Sequence, residues 1–143
     1  MQFNLFAIWA MDSKDHWHER YIAQVWLGIN YFSDLLNDSA LLIGDFNSNK
    51  IWDYASRIAS HTDVVNYLDS KNIHSLYHLQ YGENQGEETK PTLFLHRKID
   101  KPYHIDYCFA SDNLMQQGYS IKIGDYNDWI QLSDHVPIMI NFG

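Results

Sequence analysis

Eight consecutive residues, Leu41-Leu42-Ile43-Gly44-Asp45-Phe46-Asn47-Ser48, constrain the fold more than any other stretch. Three apolar residues run into a glycine, then a carboxylate, an aromatic ring and an amide. A short apolar run closed by a turn residue predicts a buried strand, here Ala40 to Gly44. Asp45 and Asn47 lie two apart just beyond it, so in extended backbone both side chains point the same way. A carboxylate and an amide presented together at the end of a buried strand suit a polar site. The same two residues also suit an Asx-type turn.

Around this stretch the pattern alternates between strand and helix. Phe3 to Ala10 predicts a strand buried on both faces. Met11 to His16 is a polar loop. Trp17 to Leu36 predicts the longest helix, because Tyr21, Ile22, Val25, Trp26, Ile29, Phe32 and Leu36 recur at helical spacing. His16 and His18 fall on different faces of that helix and read as solvated. Ser60 to Lys71 predicts a second helix, capped at Ser60 or Thr62, and Ile73 to His78 a short strand. Tyr81 to Lys90 reads as a solvated loop carrying Glu83, Glu87 and Glu88. Strands are expected at Pro91 to His96, His104 to Ala110, Tyr119 to Ile123 and Val136 to Phe142. Asp125 to Ser133 is a polar connection. In the His104 strand, His104, Asp106, Cys108 and Ala110 share one face, and Ile105, Tyr107 and Phe109 the other. Six or seven strands interleaved with two sizeable helices indicate an α/β or α+β layered domain, single over residues 1–143.

At 143 residues the chain can bury a real core. A formal net charge of −8 argues against gripping an extended duplex through many phosphates. It is compatible with carboxylates gathered for a hard cation. The single cysteine, Cys108, rules out an intrachain disulfide and makes a cytoplasmic setting the expectation. No apolar run approaches the roughly 20 residues of a membrane span, and the N-terminus lacks the basic start of a signal peptide.

Two further stretches carry chemistry. Asp106 is a carboxylate inside an otherwise apolar strand, where it needs a partner. Ser133-Asp134-His135-Val136-Pro137 immediately precedes the last strand. Neighbours on an extended segment point to opposite sides, so Asp134 cannot comfortably orient His135. Asp106 is the buried candidate for that task. Asp134 is then free to join Asp45 and Asn47 at a metal or phosphate.

Gly44-Asp45-Phe46-Asn47, then Ile105-Asp106-Tyr107, then Ser133-Asp134-His135-Val136-Pro137 resembles the endonuclease/exonuclease/phosphatase superfamily, with its deoxyribonuclease I-like fold. Lys90-Pro91-Thr92 and Trp129 also resemble the family. The resemblance implies a metal-dependent phosphodiesterase or phosphomonoesterase, nuclease-type, acting on nucleic acid or another phosphodiester with Mg²⁺ or Mn²⁺. It makes Asp45, Asn47, Asp106 and His135 catalytic, and Asp134, Asp45 and Asn47 the metal-side residues. It covers only the C-terminal half of a family domain. The expected architecture is therefore one mixed, mainly antiparallel sheet with helices on one face, half of the four-layer sandwich. The asparagine and glutamate motifs of the N-terminal half are not visible, and the immediate start at Phe3 reads as a cut within a domain. Trp9-Ala10 stands where many members carry His or Tyr. An open sheet face would favour self-association or a separate N-terminal half. The alternative is a non-catalytic remnant or binding module that keeps the fold.

Overall fold

The computed structural model describes residues 2–54 and 57–143. Its centre is a four-stranded mixed sheet in the order β1 (Asn4–Trp9), β2 (Ala40–Asp45), β6 (Asp106–Ser111), β3 (Ile73–Ser75). β1 runs parallel to β2, while β2–β6 and β3–β6 are antiparallel. Between these strands run α1 (Ile22–Tyr31), α2 (His61–Asp69) and α3 (Leu76–Tyr81). Two two-stranded ribbons complete the fold, β4 (Leu93–Phe94) with β5 (Pro102–Tyr103) and β7 (Tyr119–Ile123) with β8 (Ile138–Phe142). Short helices α4 (Asp112–Met115) and α5 (Tyr126–Trp129) fill the remaining connections. The α+β class is the one expected, but the single sheet is replaced by three.

The period-two reading of the His104 strand holds from Asp106 onward; His104 and Ile105 precede the strand, and the His104 ring lies 4.9 Å from that of Tyr107 instead of on the opposite face. Tyr107 and Phe109 enter one core with Leu42, Phe46, Ile22, Val25 and Ile29 of α1, and Val64 and Leu68 of α2. Cys108 and Ala110 enter the other, with Leu41, Leu76 and Tyr77 of α3, Leu114 of α4, and Ile121. Helices therefore lie on both faces, not one. The β7–β8 ribbon covers the second face through Ile138, Ile140 and Phe142, so the expected open face shrinks to β1. There, alternation leaves Leu5 and Trp9 58% and 72% exposed.

Three elements depart from expectation for local reasons. The long helix is broken at Tyr21, whose backbone sits at φ 55°, ψ −124° while its N–H bonds to Met11 O (2.8 Å). The apolar stripe continues across this break, so spacing alone extended the helix too far. The strand from Ile73 turns into α3 after Ser75, because Leu76 and Tyr77 both have room in the second core. The strand begun at Pro91 spans only two residues and ends where His96 and Arg97 both take left-handed backbone (φ 58° and 59°).

Candidate active site

Phe46 is the pin of the site. It is fully buried, with its ring centroid 5.5 Å from Tyr107 and 5.4 Å from Phe109. Its N–H bonds to Ile105 O at 3.0 Å. Burying that ring inward leaves its neighbours, Asp45 and Asn47, at the rim. Gly44 lets β2 approach β1 at this point: its φ is +139°, and a Cβ there would meet the backbone carbonyl of Ile8. Ala10 N then bonds to Asp45 O (2.8 Å), which holds the end of β2.

The Asx-type turn is real. Asp45 Oδ1 accepts from Asn47 N at 2.7 Å, and Asn47 adopts φ 47°, a conformation asparagine tolerates. Asn47 Nδ2 donates to Ala10 O (3.1 Å) and Asp45 Oδ2 (3.2 Å). With its N–H groups so engaged, the Asn47 amide oxygen is the atom left for a ligand.

Asp106 is the register partner of Asp45 across β2–β6. Its backbone is held by Thr92, whose buried Oγ1 accepts from both Ile105 N and Asp106 N at 3.0 Å. The same segment delivers His135. Leu93 bridges to His135, Val136 N bonds to Thr92 O, and Phe94 N bonds to Asp134 O, both at 2.8 Å. Ser133 Oγ accepts from His135 N (3.0 Å). The outcome is an ion-pair contact of 2.9 Å between His135 Nδ1 and Asp106 Oδ2. Ligand atoms of Asp45, Asp106 and His135 all lie within 4.8 Å of one another.

The electrostatics follow from that crowding. Burial, and the charge of Asp106 behind it, push the Asp45 carboxyl above its usual value, although Asn47 N and His135 oppose this. The hydrogen bond to Asp106 holds the His135 imidazole above its usual value, with the charges of Asp45 and Asp134 helping. Asp134 is not a member of the cluster: its neighbour His135 takes the inward position, and successive residues of an extended segment diverge. Trp9 is Asp45's partner on β1 and is largely exposed.

Sequence reasoning missed a polar network behind the site. Asn49, 2% exposed, sends Nδ2 to Glu88 Oε2 (2.9 Å), His104 O (3.0 Å) and Tyr107 OH (3.1 Å). Glu88 also accepts from His78 Nε2 (3.1 Å) and Gly86 N (3.0 Å). It is therefore no solvated loop glutamate: its side chain is 3% exposed, and despite the cost of burial these bonds hold its carboxyl down at about 2. The signal available was the two-residue spacing of Asp45, Asn47 and Asn49. The Gly-rich, charged composition around Glu88 concealed the rest.

Comparison with protein-family models finds no match, and comparison with curated proteins finds none either.

Proposed function

We propose that this chain hydrolyses phosphodiesters with the help of a divalent metal, nuclease-type, on the C-terminal half of an endonuclease/exonuclease/phosphatase-like fold. The observation that carries the reading is the convergence of Asp45, Asp106 and His135 within 4.8 Å, with His135 already held by Asp106. Separated by up to 90 positions in sequence, these groups have no turn or cap in common that would explain their meeting.

The donor set fits a hard cation. Asp45 and Asp106 are carboxylates paired across the strands, and Asn47 lies beside Asp45, to which its amide nitrogen donates. Mg²⁺ or Mn²⁺ would take Asp45 and Asn47, with Asp134 as the neighbouring charge, and would retain several waters. When bound, it supplies Lewis-acid polarisation of a phosphoryl oxygen and a more acidic water. Asp45 orients the attacking water and takes its proton, a task suited to a carboxylate made more basic than usual. Asn47 holds a phosphate oxygen as charge builds on it. His135, whose charged form Asp106 favours, binds the same phosphate and returns a proton to the departing oxygen. A short or single-stranded nucleic acid suits a chain of net charge −8 better than a long duplex.

One observation favours the second reading, a binding module without turnover. Among the described residues the cluster gathers only two carboxylates, and its imidazole is tied to one of them. The exposed Leu5 and Trp9 of β1 suit cover by a second copy or a separate N-terminal half. The lone, buried Cys108 keeps a cytoplasmic setting within the proposal. Among the described residues no helix is long and apolar enough to cross a membrane.

The test is hydrolysis of bis(p-nitrophenyl) phosphate and of a single-stranded oligonucleotide, with Mg²⁺, Mn²⁺ or EDTA. Metal-dependent turnover should fall by about 10²-fold or more in His135→Ala. Metal-dependent binding without turnover in the wild type would establish the module instead.

A further inference from the structure

β1 is an edge of the central sheet: among the described residues only β2 pairs with it. Its even-numbered residues serve that ladder, since Asn4 N bonds to Ser39 O and Ala10 N to Asp45 O, both at 2.8 Å. Backbone groups of successive strand residues point to opposite sides, so those of Leu5, Ala7 and Trp9 point away from β2. Met11, the next odd residue, shows the same direction. Its N–H bonds to Gln24 Oε1 (3.0 Å) and its carbonyl accepts from Tyr21 N (2.8 Å), neither of them in β2.

An edge strand that stays single is normally blunted by a charge, a proline or a bulge. β1 has none of these. Residues 2 to 11 hold no charged side chain and no proline, and the register with β2 is unbroken from Asn4 to Trp9. α1, beside it, is equally free of charge over Ile22–Tyr31. Between the two lies a groove of about 230 Å³, lined by Phe6, Ile8, Trp9, Gly28 and Phe32 among others. Trp9, Leu5 and Phe32 are exposed. Loss of charge together with large apolar and aromatic side chains marks the core of a protein interface.

We infer that two copies of the chain pair along this edge, β1 against β1, antiparallel about a twofold axis at Ala7. Charge and register select this occupant. Each copy carries a net charge of −8, and a surface without charge lets two such copies meet with no like charges opposed. The same surface offers a partner of opposite sign nothing to match. The strand does match itself: reversed about Ala7, Leu5 falls opposite Trp9, Phe6 opposite Ile8, and Ala7 opposite Ala7 of the other copy. Opposed residues of an antiparallel pair share a face. Leu5 and Trp9 therefore cover each other on the open face, and Phe6 and Ile8 flank the groove on the α1 face. The outward N–H and C=O groups of Leu5, Ala7 and Trp9 gain partners, and two four-stranded sheets become one of eight strands. The pairing does not rest on the phosphodiester reading.

Sedimentation equilibrium of the full chain, from about 1 to 200 µM, tests the pairing. The wild type should reach twice the 16.9 kDa of one chain. Ala7 is exposed, so Ala7→Lys and Ala7→Glu should fold. Like charges directly opposite repel, so each variant should associate at least about tenfold more weakly than wild type. Mixing the two in equal amounts should restore the dimer, because residue 7 then meets an opposite charge. Hydrogen exchange of the wild type gives a second reading. Dilution should speed exchange of the Leu5, Ala7 and Trp9 amides and leave those of Phe6 and Ile8, which face β2, unchanged. If either variant misfolds by circular dichroism, the exchange measurement decides. A wild type that stays monomeric, a dimer indifferent to both substitutions, no restoration on mixing, or outward amides indifferent to dilution overturns the pairing.

Discussion

Asp45 and Asp106 stand directly opposite each other in the antiparallel β2–β6 register, two carboxylates at one strand end. Like charges so placed oppose folding; burial first, and then the Asp106 charge, raise the Asp45 value. Asp45→Asn is expected to leave the fold at least as stable as wild type in EDTA, with a gain of up to about 1 kcal/mol by urea denaturation. The same variant should lose metal-dependent hydrolysis and the rise in Tm that Mg²⁺ gives the wild type. A clear loss of stability in EDTA would show that the pair is not under strain.

His135 owes its raised value first to Asp106. In Asp106→Asn the imidazole keeps a hydrogen-bonding partner but loses the charge. Its titration, followed through the ring C–H signals without metal, should move to lower pH. An unchanged titration would mean that Asp106 does not charge the ring in solution.

Gly44→Ala tests the close approach of β1 and β2. The new Cβ would strike the Ile8 carbonyl, and φ +139° is barely accessible to alanine. Backbone cannot yield as a flexible side chain can. A loss of about 3 kcal/mol or more is expected. Alanine at the half-buried helical Gly28, where nothing lies within 4 Å of an added Cβ, should instead be neutral or stabilising.

Stability should fall with acid in two stages. His61 and His104 are buried, with values below the ordinary 6.5, so the unfolded chain binds protons first and stability declines as pH drops below about 6.5. His135 opposes this: its contribution is present below 6.5 and is lost as pH rises through its raised value. Glu88, held at about 2 against an ordinary 4.5, contributes above 4.5 and loses that contribution as pH falls towards 2. The Glu88 part is at most roughly 3 kcal/mol. His104→Gln should flatten the upper stage and Glu88→Gln the lower, in denaturant midpoints measured from pH 7 to pH 3.

Legibility varied with the range of the interaction responsible. The strand at Ala40, the face assignment of Tyr107 and Cys108, and the cap of α2, narrowed to Ser60 or Thr62 and found at Ser60, were all readable, because each depends on neighbours a few residues away. The end of the long helix was not, since Tyr21 is turned by a bond to Met11 across a loop. Glu88 was misread because its partners, Asn49 and His78, come from other segments. Asp106 as the partner of His135 could be reasoned out, because a carboxylate in an apolar strand needs a counterpart.

The sequence by itself determined which side chains stand at strand ends and which are driven inward, since period-two alternation and the cost of burying charge act locally. Tertiary structure decided which of those strand ends meet. The β2–β6 register sets Asp45 against Asp106, and the short Thr92–Phe94 segment places His135 rather than Asp134 beside them. Such pairings are settled by long-range backbone hydrogen bonds and core packing, which residue order along the chain does not encode locally.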